Sequence, residues 1–267
     1  MPPRAIHWLN LPVMADTSPV GRLWVLRDVT EERILERMRE DLVHAMVHDL
    51  RNPLASMSGA LSFLNDSVAE LLSPGERELW DIAQKSTKGM LELVKKILEI
   101  SRLESRQIPL DHTLISLADL VAGVLESQLP LAVDKGLHLE SDIAPGLSPA
   151  WADVGYIERV LTNLVGNAIK FTPTGGVIRV SAKTDTADRP RLLVSVSDTG
   201  SGIPPEIQDR LFQRFIVGQQ EGRGSGLGLA FCKMAIEAHG ERIWVEDTSE
   251  RGTTMTFSLP LPPALES

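Results

Sequence analysis

Two groups of residues in this chain have types and spacings that could do chemistry. In "HAMVHDLRNPL", residues 44–54, His44 and His48 stand one helical turn apart, Asp49 follows the second, Asn52 lies a turn beyond it, and Pro53 interrupts the hydrogen-bonding run. An imidazole in water titrates near about pH 6.5, so at neutrality one ring nitrogen is a free nucleophile. An adjacent carboxylate can orient that ring or accept its proton as a bond forms. The four-residue spacing also lets His44 and His48 share a metal ion, but "HAMVH" lacks the glutamate of a zinc-protease helix and shows no third ligand. Two surface histidines without a task account for the stretch, taken alone, better than either chemistry.

The second group lies in the C-terminal half. "NLVGNAIKF" spaces Asn163, Asn167 and Lys170 so that one helix face carries two carboxamides and an ammonium. Carboxamide oxygens suit a hard, hydrated Mg²⁺, and the ammonium suits a phosphate. "VSVSDTGSGIP" ends a strand with Asp198 and continues with Gly200 and Gly202. A carboxylate only accepts hydrogen bonds, which matches an exocyclic amine such as that of adenine, and glycines let backbone approach a flat ring. "GRGSGLGLA" then supplies Gly222, Gly224, Gly226, Leu227 and Gly228 ahead of a helical run, where free amides attract phosphate. Each piece has a plain structural counterpart: a solvated helix face, an Asp-Gly turn, a flexible loop.

The elements that must carry these groups are legible in the apolar periodicity. Leu35, Met38, Leu42, Met46, Leu50, Leu54, Met57, Leu61, Leu64, Val68 and Leu71 recur three and four apart, predicting one long helix over 35–72. His48 falls on the opposite side of that helix from Met46 and Leu50, facing solvent, and Pro53 should bend it just beyond the histidine. "SPGE" reads as a new helix start, with Ser73 and Glu76 as a capping box around Pro74, and Leu79, Ala83, Ser86, Met90, Leu93, Ile97 and Ile100 continue it. The two helices form a hairpin whose outer apolar edge stays uncovered, and pairing into a dimeric four-helix bundle is the simplest remedy. From about residue 110 the pattern is mixed, with helices near 116–133, 154–170 and 226–239 and strands near 137–143, 177–183, 191–197, 242–247 and 253–259. Ahead of the long helix the sequence shows one convincing strand, "GRLWVLRDV".

Composition narrows the function classes. A net charge of −9 argues against nucleic acid as a partner, because such a surface repels phosphodiester backbones, so any bound phosphate needs a local site. The single cysteine, Cys232, permits no internal disulfide and fits a reducing, cytoplasmic compartment. No run of eighteen apolar residues suggests a membrane contact, and the N-terminus lacks the order of a signal peptide.

In this order, with "LFQRF" between the last two pieces, the motifs resemble those of the sensor histidine kinases of two-component signalling, from about Arg27 to Pro260. "HDLRNPL" resembles the phosphoacceptor box, and "NLVGNAIKF", "DTGSGI", "LFQRF" and "GSGLGL" the asparagine, first glycine, phenylalanine and second glycine boxes of the nucleotide site. The resemblance implies a multidomain fold, an all-α helical hairpin forming a dimeric four-helix bundle followed by an α/β two-layer sandwich ATP-binding domain. It makes His48 the phosphorylated residue, with Asp49 and Asn52 assisting transfer and dephosphorylation. It makes Asn167 the Mg²⁺ ligand with Asn163 beside it, Asp198 the adenine contact, and Gly224, Gly226 and Gly228 the shapers of the loop over the ATP phosphates. Helix geometry agrees about Asn52, one turn from His48, but points Asp49 about 100° away from it.

The implied activity is ATP-dependent autophosphorylation of His48 and transfer of the phosphoryl group to a response-regulator aspartate, by a homodimer whose domains swing about a hinge near 105–115. The implied domains are 1–28, a remnant of a PAS-like sensor and its linker; 29–108, dimerisation and phosphotransfer; 109–262, ATP binding; and 263–267, a tail. After "LFQRF" the chain reads "IVG", where Ile216 and Val217 cannot supply the aromatic and arginine that many relatives carry, leaving Arg214 or Arg223 as substitutes. That departure keeps a kinase-impaired nucleotide-binding scaffold in view, Asn52 keeps a phosphatase-biased member, and a module whose hairpin docks partners while the glycine loop is idle is a further alternative.

Overall fold

The computed structural model describes residues 5–15, 18–68, 72–104, 110–186, 190–216 and 226–263, and the chain divides into two compact units, Met1–Ser101 and Arg102–Ser267.

The first unit opens with an antiparallel ribbon of two strands, β1 (Ile6–Ala15) and β2 (Ser18–Asp28), where the sequence pattern predicts only the second. Pro12 breaks the strand signal of β1. It is tolerated because a two-stranded ribbon leaves alternate N–H groups without a ladder partner. The ribbon runs into α1 (Thr30–Val68): the Thr30 hydroxyl donates to the Asp28 carboxylate and accepts from the Ala5 amide.

Helix α1 runs through Pro53, and α2 (Pro74–Glu104) begins at the predicted signal. Both the amide and the hydroxyl of Ser73 donate to Glu76, at 2.9 and 2.6 Å, so the carboxylate closes the box and its pKa lies below the usual glutamate value. Gln84 donates to the Leu61 carbonyl and to Asn65 Oδ1, and Trp80 Nε1 donates to the same oxygen, tying α2 to α1 near their turn. Val47, Thr87, Val94 and Ile100 are buried in this unit. Most of the predicted stripe is not: Leu35, Met38, Leu42, Met46, Leu50 and Met57 remain exposed, Met46 at 55%.

The second unit is a two-layer sandwich. Its sheet runs β4 (His138–Ile143), β6 (Val177–Asp185), β7 (Arg191–Asp198), β9 (Gly252–Pro260), β8 (Ile243–Ser249), with β4 parallel to β6 and the rest antiparallel. Three helices cover one face: α3 (Leu117–Asp134), α4 (Val154–Phe171) and α6 (Gly228–Ala238). Alternation along β7 buries Leu192, Val194 and Val196 in the core, and α4, which packs against β7, buries Val160, Leu161, Leu164 and Val165. Three short elements fall below the length that periodicity can detect: β3 (Thr113–Ile115), paired with β5 (Ala150–Ala152), and the single turn α5 (Pro205–Gln208).

The N-terminus of α4 is held firmly. Asp153 accepts from the amides of Gly155 and Tyr156 as N-cap, and its second oxygen accepts from the Asp111 amide. The Asp153 amide donates to His239 Nε2 at 3.0 Å, while His239 Nδ1 lies 2.7 Å from the Ala235 carbonyl, which can only accept. The proton therefore sits on Nδ1, and the buried ring is neutral. Its pKa is lowered first by burial, with the Ala235 carbonyl opposing.

Candidate functional site

On α1 the sequence brings His48 to the surface as its period requires; the side chain is 70% exposed. Asp49 Oδ1 lies 3.4 Å from His48 Nδ1, closer than the 100° between neighbouring helix positions suggests, because rotation about the side-chain bonds swings the carboxylate back over the imidazole. Asn52 is also exposed, and its carbonyl accepts from the Ser56 hydroxyl at 3.1 Å. Pro53 has no amide to offer the Asp49 carbonyl. His44 lies on the same helix, but its side chain falls outside the described residues.

In the second unit, α4 presents its polar face as the spacing predicts, but its two carboxamides are not equivalent. Asn163 Nδ2 donates to the Arg159 carbonyl at 2.8 Å, and its Oδ1 faces Gly228, where an added Cβ would lie 2.8 Å away. Asn163 thus has its Nδ2 engaged within α4 and its Oδ1 close against the start of α6. Asn167 is half-buried and its carboxamide makes no hydrogen bond with any described residue, so its oxygen is open to a ligand. Lys170 closes the row, its Nζ 4.5 Å from the centre of the Phe171 ring.

Asp198 ends β7 in a tight backbone cradle. Its Oδ1 accepts from Gly200 at 2.7 Å and from Thr253 at 3.3 Å. No described residue donates to Oδ2. Burial raises the carboxyl pKa, and the two amide bonds oppose the rise. Glycines make the cradle close: a Cβ on Gly200 would lie 2.7 Å from Asp198 Oδ1 and 2.8 Å from the Phe171 carbonyl, and one on Gly252, at φ +136°, would collide with the Asp198 carbonyl. Gly202, at φ +73°, packs against the Ser249 carbonyl. Thr253 and Gly252 are parts of this cradle that sequence reasoning missed; the only signal was the glycine opening "GTTMTF".

The glycine run enters α6 through Gly226, at φ +65°, whose carbonyl accepts from the Phe215 amide at 3.0 Å. Leu227 is buried and offers no side-chain cap, so among the described residues no side chain caps the first amides of α6. Gly222, Gly224, Val217 and Arg223 lie outside the described residues.

Comparisons with known proteins find two family models that match separate parts of the chain. Residues 38–106 match the family of the His Kinase A (phospho-acceptor) domain, and residues 152–263 match the histidine kinase-, DNA gyrase B-, and HSP90-like ATPases. The adaptive-response sensory kinase SasA of Gloeothece citriformis is 37% identical over 86% of this chain and 60% of its own length. The alginate biosynthesis sensor protein KinB of Pseudomonas aeruginosa is 32% identical over 97% of this chain and 43% of its own. The chain thus spans about half the length of these relatives. Among solved structures, full-length ShkA in complex with AMPPNP superposes with a TM-score of 0.73 and 28% identity over 84% of this chain and 46% of that one. The histidine kinase AdeS of Acinetobacter baumannii gives 0.59 and 25% over 81% and 98%.

Proposed function

We propose that this chain, which belongs to the sensor histidine kinases, transfers the γ-phosphoryl group of ATP to His48 and passes it on to an aspartate of a response regulator. The observation that carries this reading is a solvent-exposed imidazole, backed at 3.4 Å by a carboxylate, on the same chain as a purine-type cradle around Asp198.

Asp198 Oδ2, which takes no donor among the described residues, accepts from the exocyclic amine of adenine, and Gly200 and Gly202 admit the ring. The uncapped start of α6 and the Lys170 ammonium face the phosphates. Asn167 fits Mg²⁺, since the residue is half-buried and its carboxamide oxygen has no partner among the described residues, and Mg²⁺ commonly takes one or two protein oxygens alongside substrate phosphates. The ion would supply charge neutralisation on the triphosphate.

With Nδ1–H directed to Asp49, the lone pair of His48 lies on Nε2. Nε2 attacks the γ-phosphorus in line, the bond to the β–γ bridging oxygen breaks, and ADP leaves. Asp49 stabilises the cation that forms on the ring and can accept its Nδ1 proton. An aspartate carboxylate of the regulator then displaces the imidazole, and Asn52, one turn along the same face, orients water for hydrolysis of the product.

The exposed apolar seam of Leu42, Met46, Leu50 and Met57 supports a homodimer through the helical hairpin, and among the described residues no helix is long and apolar enough to cross a membrane. Incubation with ATP labelled on the γ-phosphate tests the reaction class: label that is acid-labile and base-stable is expected. Acid-stable label would identify a phosphoester and refute the reading.

A further inference from the structure

The last turn of α4 lies between two groups of the nucleotide site, and the partners of its terminal carbonyls can be followed one by one. Ala168 accepts from the Thr172 amide at 3.0 Å and the Thr172 hydroxyl at 2.7 Å. Ile169 and Lys170 both accept from Lys135 Nζ, each at 2.7 Å. The Phe171 carbonyl packs against Gly200, the residue whose amide holds Asp198 Oδ1. One ammonium, from the end of α3, therefore satisfies two of the four carbonyls and places positive charge at the negative end of the helix.

The turn around Lys135 grips the exit of α4 a second time. Gly136, at φ +67°, accepts from the Gly175 amide at 2.8 Å, and the His138 amide donates to the Gly176 carbonyl at 3.0 Å. The last turn of α4 and its exit, which lie between Asn167 and the Gly200 contact, are thus held by a residue outside the set proposed to contact nucleotide.

We propose that Lys135 is a positioning residue for the nucleotide site: by holding the Ile169 and Lys170 carbonyls it sets the last turn of α4, and through Phe171 and Gly200 the attitude of Asp198 toward the purine. The inference rests on the nucleotide-binding reading given above. No other side chain in the described residues reaches these two carbonyls. A lysine suits them because its flexible stem brings several donors to adjacent acceptors.

The test uses the full chain with Lys135→Met, Lys135→Arg and, as a control for stability alone, Val194→Ala in the fully buried sheet core. ATP affinity is measured by calorimetry, melting temperature in parallel, and KM and kcat of autophosphorylation on the same samples. Lys135→Met should weaken ATP binding about tenfold and raise KM more than it lowers kcat, since two half-buried carbonyls lose a charged donor. Lys135→Arg should restore affinity to within about threefold. Val194→Ala should bind ATP like the unsubstituted chain despite a lowered melting temperature. ATP binding by Lys135→Met as tight as the original overturns the proposal, as does an equal loss in Val194→Ala. If Lys135→Met does not fold, Lys135→Gln decides, because its side chain is uncharged and one bond too short to hold both carbonyls: weakened binding supports the proposal and unchanged binding overturns it. Failure of the unsubstituted chain to bind ATP would instead overturn the nucleotide reading, and this proposal with it.

Discussion

Replacing Asp198 by Asn tests the purine reading with little disturbance to the fold. The Asn carbonyl oxygen can take over the role of Oδ1, accepting from Gly200 and Thr253, which now lie at 2.7 and 3.3 Å. The other end of the side chain changes sign: a free acceptor becomes an NH₂ donor facing the adenine amine. A hydrogen bond to a charged group is worth about 1.5–3 kcal/mol, so ATP affinity should fall roughly ten- to a hundredfold. Because the new donor can meet an exocyclic oxygen, the ratio of GTP to ATP affinity should rise. The melting temperature should change little, since a half-buried charge is removed while both amide bonds are kept. Calorimetric titration with ATP and GTP, alongside thermal unfolding, reads all three effects. The raised carboxyl pKa adds a pH signature: protonated Asp198 offers a donor to the amine, so ATP affinity in the original chain should be full at neutral pH and decline as pH falls through a value above the usual aspartate range. ATP affinity in Asp198→Asn within twofold of the original would refute the contact.

Gly228→Ala should lower both the melting temperature and ATP affinity, because its Cβ would lie 2.8 Å from Asn163 Oδ1 and prise α6 from α4; such overpacking typically costs about 1–3 kcal/mol, readable by denaturant unfolding. His239 is held neutral by burial, so the unfolded chain binds more protons than the folded one between the lowered folded pKa and the ordinary value near about 6.5. Its contribution to stability is therefore complete above that upper value and is lost as pH falls toward the folded one. His112, Asp153 and Glu241 act on the same ring, and His239→Gln, which retains an acceptor, should flatten unfolding stability below about pH 6.5. Leu42→Asp with Met46→Asp should shift the chain to monomer in light scattering, because both side chains belong to the exposed seam proposed as the dimer contact.

The long elements were legible because their periods are long enough to read. The α4 face announced Asn163, Asn167 and Lys170 together, and alternation marked β6, β7 and β9. Elements of three or four residues, β3, β5 and α5, carry too little pattern, and Pro12 hid β1. What could not be read was which groups meet across the fold. Asn163 and Asn167 look alike in sequence, and only the structure shows that the first donates to the Arg159 carbonyl and lies against Gly228. Gly252 must be a glycine because the Asp198 carbonyl passes beside it on the neighbouring strand. Lys135 reaches carbonyls 34 and 35 residues further along, a separation at which no local spacing rule operates. Spacing alone set Asp49 apart from His48, since it fixes where a Cβ points and not where a rotatable carboxylate ends.

The central claim is that His48, and not its neighbour one turn earlier, receives the phosphoryl group. Labelling by γ-phosphate-labelled ATP of the original chain, His48→Ala and His44→Ala tests it most directly. The account predicts no acid-labile label on His48→Ala and near-normal labelling of His44→Ala. Retained label on His48→Ala would contradict it.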